Sequence, residues 1–112
     1  MRKRDDSGRL QDILDAINRI EFHLRGGNEL EFAEDWTRQD AIAHQIEIIG
    51  EASRNVSLEF QERHPEIPWS QIIGMRNKIA HDYSDVDVQE IWRTATRDIP
   101  QLKQAIAKLI GE

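Results

Sequence analysis

Three stretches of this sequence repeat apolar residues at steps of three and four, and that periodicity constrains the fold more than any other feature. The first runs Leu10, Ile13, Leu14, Ile17, Ile20 and Leu24. Such spacing lines one face of a helix of 3.6 residues per turn, and the face must be buried against another like it. A second run, Ile42, Gln45, Ile46, Ile49, Ala52 and Val56, predicts a helix over roughly 38–55, with a weak capping box in Thr37-Arg38-Gln39-Asp40 where Asp replaces the commoner Glu or Gln. The third stripe is the longest: Val88, Ile91, Trp92, Ala95, Ile99, Leu102, Ile106, Leu109 and Ile110. Its phase survives across Pro100, so the pattern favours one kinked helix over two separate ones.

The punctuation between these stripes sets the connections. Gly26-Gly27 supplies the left-handed conformations that end a helix, and a linker of about ten residues is expected to follow. Residues 57–63 can form a short helix that His64-Pro65-Glu66-Ile67-Pro68 terminates, because each proline restricts the residue before it. A third main helix is expected to start at Pro68 and Trp69 and run through Ala80, before a turn at Asp82-Tyr83-Ser84-Asp85. The expectation is an all-α antiparallel bundle of four principal helices plus a short one, in a single domain over residues 1–112. Six Gly, three Pro and 6% aromatics are thin punctuation for an all-β fold of this size.

Composition also excludes several function classes. With no cysteine, there is no disulfide framework, thiolate metal site or cysteine nucleophile. Three of the first four residues are basic but lead into Asp5 and Asp6 with no apolar segment, unlike a secretory signal, and no window reaches the ~18 apolar residues of a membrane span. A cytoplasmic protein that does not enter the membrane is expected. The net charge of −6, from 15 Lys+Arg against 21 Asp+Glu, argues against holding nucleic acid by bulk electrostatics and leaves room for a local basic site.

One charge sits where an apolar residue is expected. At ~100° per residue from Ile72, Met75 falls near 300°, Ile79 near 340°, Ala80 near 80° and Arg76 near 40°, inside the apolar arc. Burying an unpaired guanidinium costs several kcal/mol, so Arg76 either pairs with a carboxylate such as Glu47 or Glu51 or faces a cleft. Asn77 and His81, four residues apart, would stack beside it at the helix end. An arginine fork, a histidine and an amide suit a phosphodiester: the fork binds phosphate oxygens, and imidazole moves protons near neutral pH. In RNA the 2′-hydroxyl is the nucleophile, so neither a protein nucleophile nor a metal is demanded.

The segment Arg76-Asn77-Lys78-Ile79-Ala80-His81-Asp82-Tyr83 has the form Arg, four residues, His, one residue, Tyr, and resembles the signature of the HEPN superfamily, specifically the HepT toxin family. The run Ile48-Ile49-Gly50-Glu51-Ala52, the His64-Pro65-Glu66-Ile67-Pro68-Trp69 entry, Ile73-Gly74-Met75 and Ile91-Trp92 extend the likeness from about residue 8 to 110. The resemblance implies a HEPN-type helical bundle, a homodimer that brings two motifs into one cleft, and metal-independent endoribonuclease activity without a cofactor. It casts Arg76 and His81 as the catalytic pair and Asn77 as a supporting residue. It also implies a minimal nucleotidyltransferase antitoxin that adenylylates Tyr83. An apolar rim of Ile72, Met75 and Ile79 around Arg76 would suit the dimer seam.

Other constellations carry blander readings. His44, Glu47 and Glu51 share a helix face and could bind a metal, but they lack the second half of a two-metal site and fit a solvated polar face. Asp82, Asp85 and Asp87 lack the glycine and glutamate of an EF-hand and suit turns and caps. Trp36, Trp69 and Trp92 could stack bases, although Trp92 lies on the apolar stripe; Arg2, Lys3, Arg4 and Arg9 could touch RNA or simply be solvated. The alternative from another class is a catalytically silent helical adaptor that only binds a nucleotidyltransferase.

Overall fold

The isoleucine stripes of the first two long helices meet face to face and form the centre of the molecule. A computed structural model describes residues 5–75, 77, 80–82 and 85–111, with residues 80–82 and 85–86 described by their backbone. Helix α1, Asp6–Leu24, packs against α3, Trp36–Arg54, and in this all-α bundle α1 also packs on the C-terminal helix and α3 on the helix Val88–Arg93. Ile13, Ile17 and Ile20 of α1 and Ile42, Ile46 and Ile49 of α3 are fully buried. The first expected helix therefore stands, and the second begins two residues earlier than the stripe indicates.

The caps explain these boundaries. Asp5 accepts the Gly8 N–H at 2.8 Å to start α1. Gly26 follows its end with φ +69°, the left-handed conformation that a Cβ would penalise. The capping box at Thr37 is not used. Asp35 caps α3 instead, accepting the Arg38 N–H at 3.1 Å, because a carboxylate at that position also meets the positive end of the helix dipole.

The linker expected after Asn28 contains a helix, α2, Glu29–Ala33. Asn28 caps it by accepting the Glu31 N–H at 2.9 Å, Glu29 and Glu31 occupy its first turn, and Phe32 is buried. Five residues are too few to display a period, which is why an apolar pattern alone misses it. Buried Gln39 donates from Nε2 to the carbonyls of Phe32 (2.9 Å) and Ala33 (3.1 Å), satisfying the end of this turn.

Short elements follow. Ser57 caps α4, Leu58–Arg63, accepting the Phe60 N–H at 3.1 Å. The Asp6 carboxylate holds the same serine through its backbone N–H (2.8 Å) and hydroxyl (2.7 Å), tying the start of α4 to the start of α1. Helix α5, Trp69–Ile73, is much shorter than the helix through Ala80 that the sequence suggests. It stops at Gly74, the poorest helix former after proline, and although Met75 and Asn77 are again helical, Ala80–Asp82 is extended. That strand, β1, pairs antiparallel with β2, Asp85–Val86, in the register Ala80 with Val86 and Asp82 with Asp85, a small hairpin on an otherwise helical fold.

After Asp87, which caps by accepting the Glu90 N–H at 3.0 Å, α6 runs Val88–Arg93, a π turn spans Thr94–Asp98, and α7 runs Ile99–Gly111. The helix is continuous, as the surviving phase indicates, and the accommodation of Pro100 is the π turn itself. Pro100 donates no hydrogen bond, and its ring crowds the carbonyl four residues back. The ladder widens there: the Ile99 N–H donates to the Thr94 carbonyl, and the Thr96 hydroxyl donates to the Trp92 carbonyl at 2.8 Å. Among the described residues no helix is long and apolar enough to cross a membrane.

Candidate functional site

Of the residues singled out by the sequence, Asn77 and the backbone of His81 are described, between the end of α5 and the hairpin. Arg76 and Tyr83 lie outside the described residues, as does the Arg76 partnership with Glu47 or Glu51. The backbone of His81 is in strand β1, beside β2. Asn77 is exposed, and its N–H donates to the Gly74 carbonyl at 3.0 Å.

Two sequence expectations fail here. Asn77 and His81 do not stack as neighbours four apart on one helix, because the backbone has become extended by Ala80. Nor do Ile72 and Met75 offer an apolar rim to a second copy: both are buried in the chain's own core, at 3% and 4% exposure. The seam argument drawn from them does not stand.

Asn77 instead borders a cavity of about 210 Å³, shared with Gly50, Glu51 and Arg54 of α3 and with Ile73. Its shape depends on Gly50. A Cβ there would sit 3.4 Å from the Ile73 carbonyl oxygen and 3.5 Å from that of Ile72, ordinary contact for a methyl group that leaves no room toward α5 for a longer side chain. Within the cavity Arg54 Nη2 reaches the two Glu51 carboxylate oxygens at 2.9 and 3.1 Å, and Asn55 Nδ2 donates to the Glu51 carbonyl at 2.8 Å. The ion pair is solvent-exposed and contributes little to stability, but it holds a guanidinium beside the exposed Asn77. An arginine and an amide together can donate to phosphate oxygens. Sequence reasoning passed over Arg54 because it belongs to another helix, separated from Asn77 by more than twenty residues.

A larger groove of about 420 Å³ lies between α5 and α7, with Ile72, Met75 and Leu102 on its floor and Glu66 and Asp98 among its lining residues. The Glu66 carboxyl is held below its ordinary range, chiefly by a hydrogen bond from its own backbone, with His64 Nδ1 beside it at 3.2 Å. Two carboxylates make this groove a poor place for a phosphate.

The remaining candidates resolve simply. His44, Glu47 and Glu51 are exposed on α3, a solvated face, and no group of three metal-binding side chains occurs among the described residues. Asp87 is a helix cap. Trp69 is buried and donates from Nε1 to the His64 carbonyl at 3.0 Å; Trp92 is half-buried and packs on Phe32 with ring centroids 5.3 Å apart; Trp36 is exposed. Arg9 is half-buried in α1, whereas Arg2, Lys3 and Arg4 lie outside the described residues.

Comparison with known proteins gives the family. The family model described as "Ribonuclease HepT-like" matches residues 13–109. The "Probable ribonuclease HepT" of Thermococcus cleftensis is 43% identical over 107 residues, covering 96% of this chain and 97% of that protein. "Putative RNase TTE0752" of Caldanaerobacter subterraneus subsp. tengcongensis is 34% identical over 101 residues, 90% of each chain. In Methanocaldococcus jannaschii, "Gamma-glutamylcyclotransferase and putative RNase MJ0434" is 38% identical over 103 residues, 92% of this chain and 46% of that longer protein. No solved structure matches significantly. A family match over most of the chain, with two relatives covered nearly end to end, places this protein in the ribonuclease HepT-like family.

Proposed function

We propose that this chain, as a single HEPN-like domain, is the toxin of a type VII-like toxin–antitoxin pair and acts as a metal-independent endoribonuclease. The observation that carries the reading is family membership over residues 13–109, a span that contains Arg76, Asn77, His81 and Tyr83 together. In the proposed reaction, a general base takes the proton of an RNA 2′-hydroxyl. The 2′-oxygen bonds to phosphorus, the 5′-oxygen leaves with a proton from a general acid, and the products are a 2′,3′-cyclic phosphate and a 5′-hydroxyl. His81 moves a proton, Arg76 stabilises the charge that builds on the phosphoryl oxygens, and Asn77 supports that geometry. A homodimer provides two copies of the set, which divide the acid and base roles.

Control falls to a nucleotidyltransferase antitoxin acting on Tyr83, whose hydroxyl attacks the α-phosphorus of ATP and displaces pyrophosphate. The AMP adduct adds bulk and at least one negative charge where the RNA phosphate must lie. Purified protein incubated with RNA in EDTA is expected to leave 2′,3′-cyclic phosphate ends, and His81→Ala is expected to leave none. Tyr83→Phe is expected to cleave RNA and to resist neutralisation by the cognate nucleotidyltransferase. Cleavage that requires an added metal overturns the mechanism, full neutralisation of Tyr83→Phe overturns the mode of control, and absence of cleavage on every RNA class favours a silent adaptor.

A further inference from the structure

The outward face of α6 and the π turn carries an ordered polar stripe. Gln89, Trp92, Arg93, Thr96 and Arg97 stand at i, i+3, i+4, i+7 and i+8, the spacing of one helical face. All five line a single cavity of about 260 Å³, with Glu29 of α2. The opposite face of the same helix holds the core residues Ile91, Ala95 and Ile99, and Trp92 packs on the core through Phe32, while Gln89, Arg93, Thr96 and Arg97 are exposed.

Its chemistry is that of a single-stranded nucleic acid groove, in which cations follow the backbone and an aromatic wall accepts a base. Arg93 engages Glu90 through Nη1, which leaves its other donors available. Arg97 is exposed and makes no ion pair among the described residues. Trp92 is fixed by Phe32 yet still lines the cavity, so a base meets a ring that has already lost its conformational freedom. Glu29 opposes a phosphate, and its carboxylate can accept from a ribose hydroxyl or a base amino group.

Position adds to this. Strand β1, with His81, pairs with β2, and only Asp87 separates β2 from α6, so the stripe starts close to the hairpin in the chain and extends along the helix for ~12 Å from Gln89 to Arg97. We infer that this face is an RNA track, in which Arg93 and Arg97 hold phosphates of single-stranded RNA flanking the scissile bond and Trp92 stacks on a base. The inference rests on the ribonuclease reading and adds to it a binding surface away from the catalytic residues.

The test uses full-length protein and a fluorescent single-stranded RNA that is 2′-O-methylated throughout, so that binding is read without cleavage. Arg97→Ala is expected to weaken binding about fivefold at 0.1 M salt, from a slope of ~0.7 per single-strand phosphate contact, and to lower the salt slope by about that amount on every sequence. Arg97→Lys restores most of the affinity. On cleavable RNA, Arg97→Ala raises KM and leaves kcat unchanged. The control is Lys103→Ala, which removes an exposed cation held by Glu21 at 2.8 Å, outside this cavity, and it is expected to bind like wild type.

Equal losses in Lys103→Ala and Arg97→Ala overturn the track, since net charge alone then explains the effect. Unchanged RNA binding in Arg97→Ala also overturns it, including where that variant instead weakens the complex with an acidic protein partner. Cleavage by wild type without Arg97 dependence leaves the ribonuclease reading standing and removes the track. Arg97-dependent binding without cleavage keeps the track and removes the catalytic reading, and absence of both removes both.

Discussion

The α1–α3 pair and the stretch between α4 and β2 are built on opposite terms. The pair consists of two 19-residue helices whose facing isoleucines are excluded from solvent. Each turn repeats the instruction of the one before, so no single cap or contact decides the outcome. Among the described residues, the stretch from Leu58 to Val86 contains short elements of six, five, three and two residues, with Met75 and Asn77 again helical. None is long enough to be stable alone, and each is held by particular groups: Asp6 on Ser57, the Trp69 indole N–H on the His64 carbonyl, the bare Cα of Gly50 under α5. Asn77 and the backbone of His81 lie in the second kind of structure.

That contrast can be broken most sharply in the core. Ile46 is fully buried between helices, and Ile46→Ala is expected to cost about 2–5 kcal/mol by urea unfolding. A loss below ~1 kcal/mol would mean that the bundle is not packed as described. At the boundary between the two regions, Gly50→Leu would force α5 off α3 and intrude on the cavity bordered by Asn77. It is expected to cost about 1–3 kcal/mol, with RNA cleavage falling further than stability, whereas Gly50→Ala, in near-ordinary contact, should be close to silent. Wild-type cleavage by a folded Gly50→Leu would show that the approach of α5 does not position the site.

The smallest effect concerns pH. The folded-state pKa of Glu66 is depressed, so its contribution is present above the unfolded value and is lost as pH falls through the folded one. Glu66→Gln is therefore expected to lower Tm slightly near neutrality, to leave it unchanged below the ordinary carboxylate range, and so to flatten the acid limb of a Tm-against-pH curve. A Tm drop confined to acid pH would contradict that sign.

These effects follow the division between what the sequence displays and what it hides. The stripe from Leu10 to Leu24 and that from Val88 to Ile110 are legible because periodicity accumulates over many turns, and even the disturbance at Pro100 was foreseeable, though not its form as a π turn. Helix α2 was invisible because five residues carry no period; Asn28 followed by Glu29 and Glu31 was the only trace. The third helix was overextended because Ile72, Met75 and Ile79 keep the spacing of a stripe across Gly74, while the pairing of Ala80 with Val86 is a non-local contact that no local pattern reports. The residue types of the candidate site, Arg76, Asn77, His81 and Tyr83, were readable from their order. The cavity that Arg54 and Glu51 make beside Asn77 was not, because it joins two elements distant in sequence.

The central claim is that the bundle supplies stability and the segment from Arg76 to Tyr83 supplies chemistry. It is tested most directly by measuring Tm and RNA cleavage together on Arg76→Ala and His81→Ala. The account expects cleavage to fall by about 10²–10⁴, the usual contribution of a positioned acid–base group, while Tm stays close to that of wild type. Cleavage that persists in both variants, or that falls only in proportion to lost folding, would contradict it.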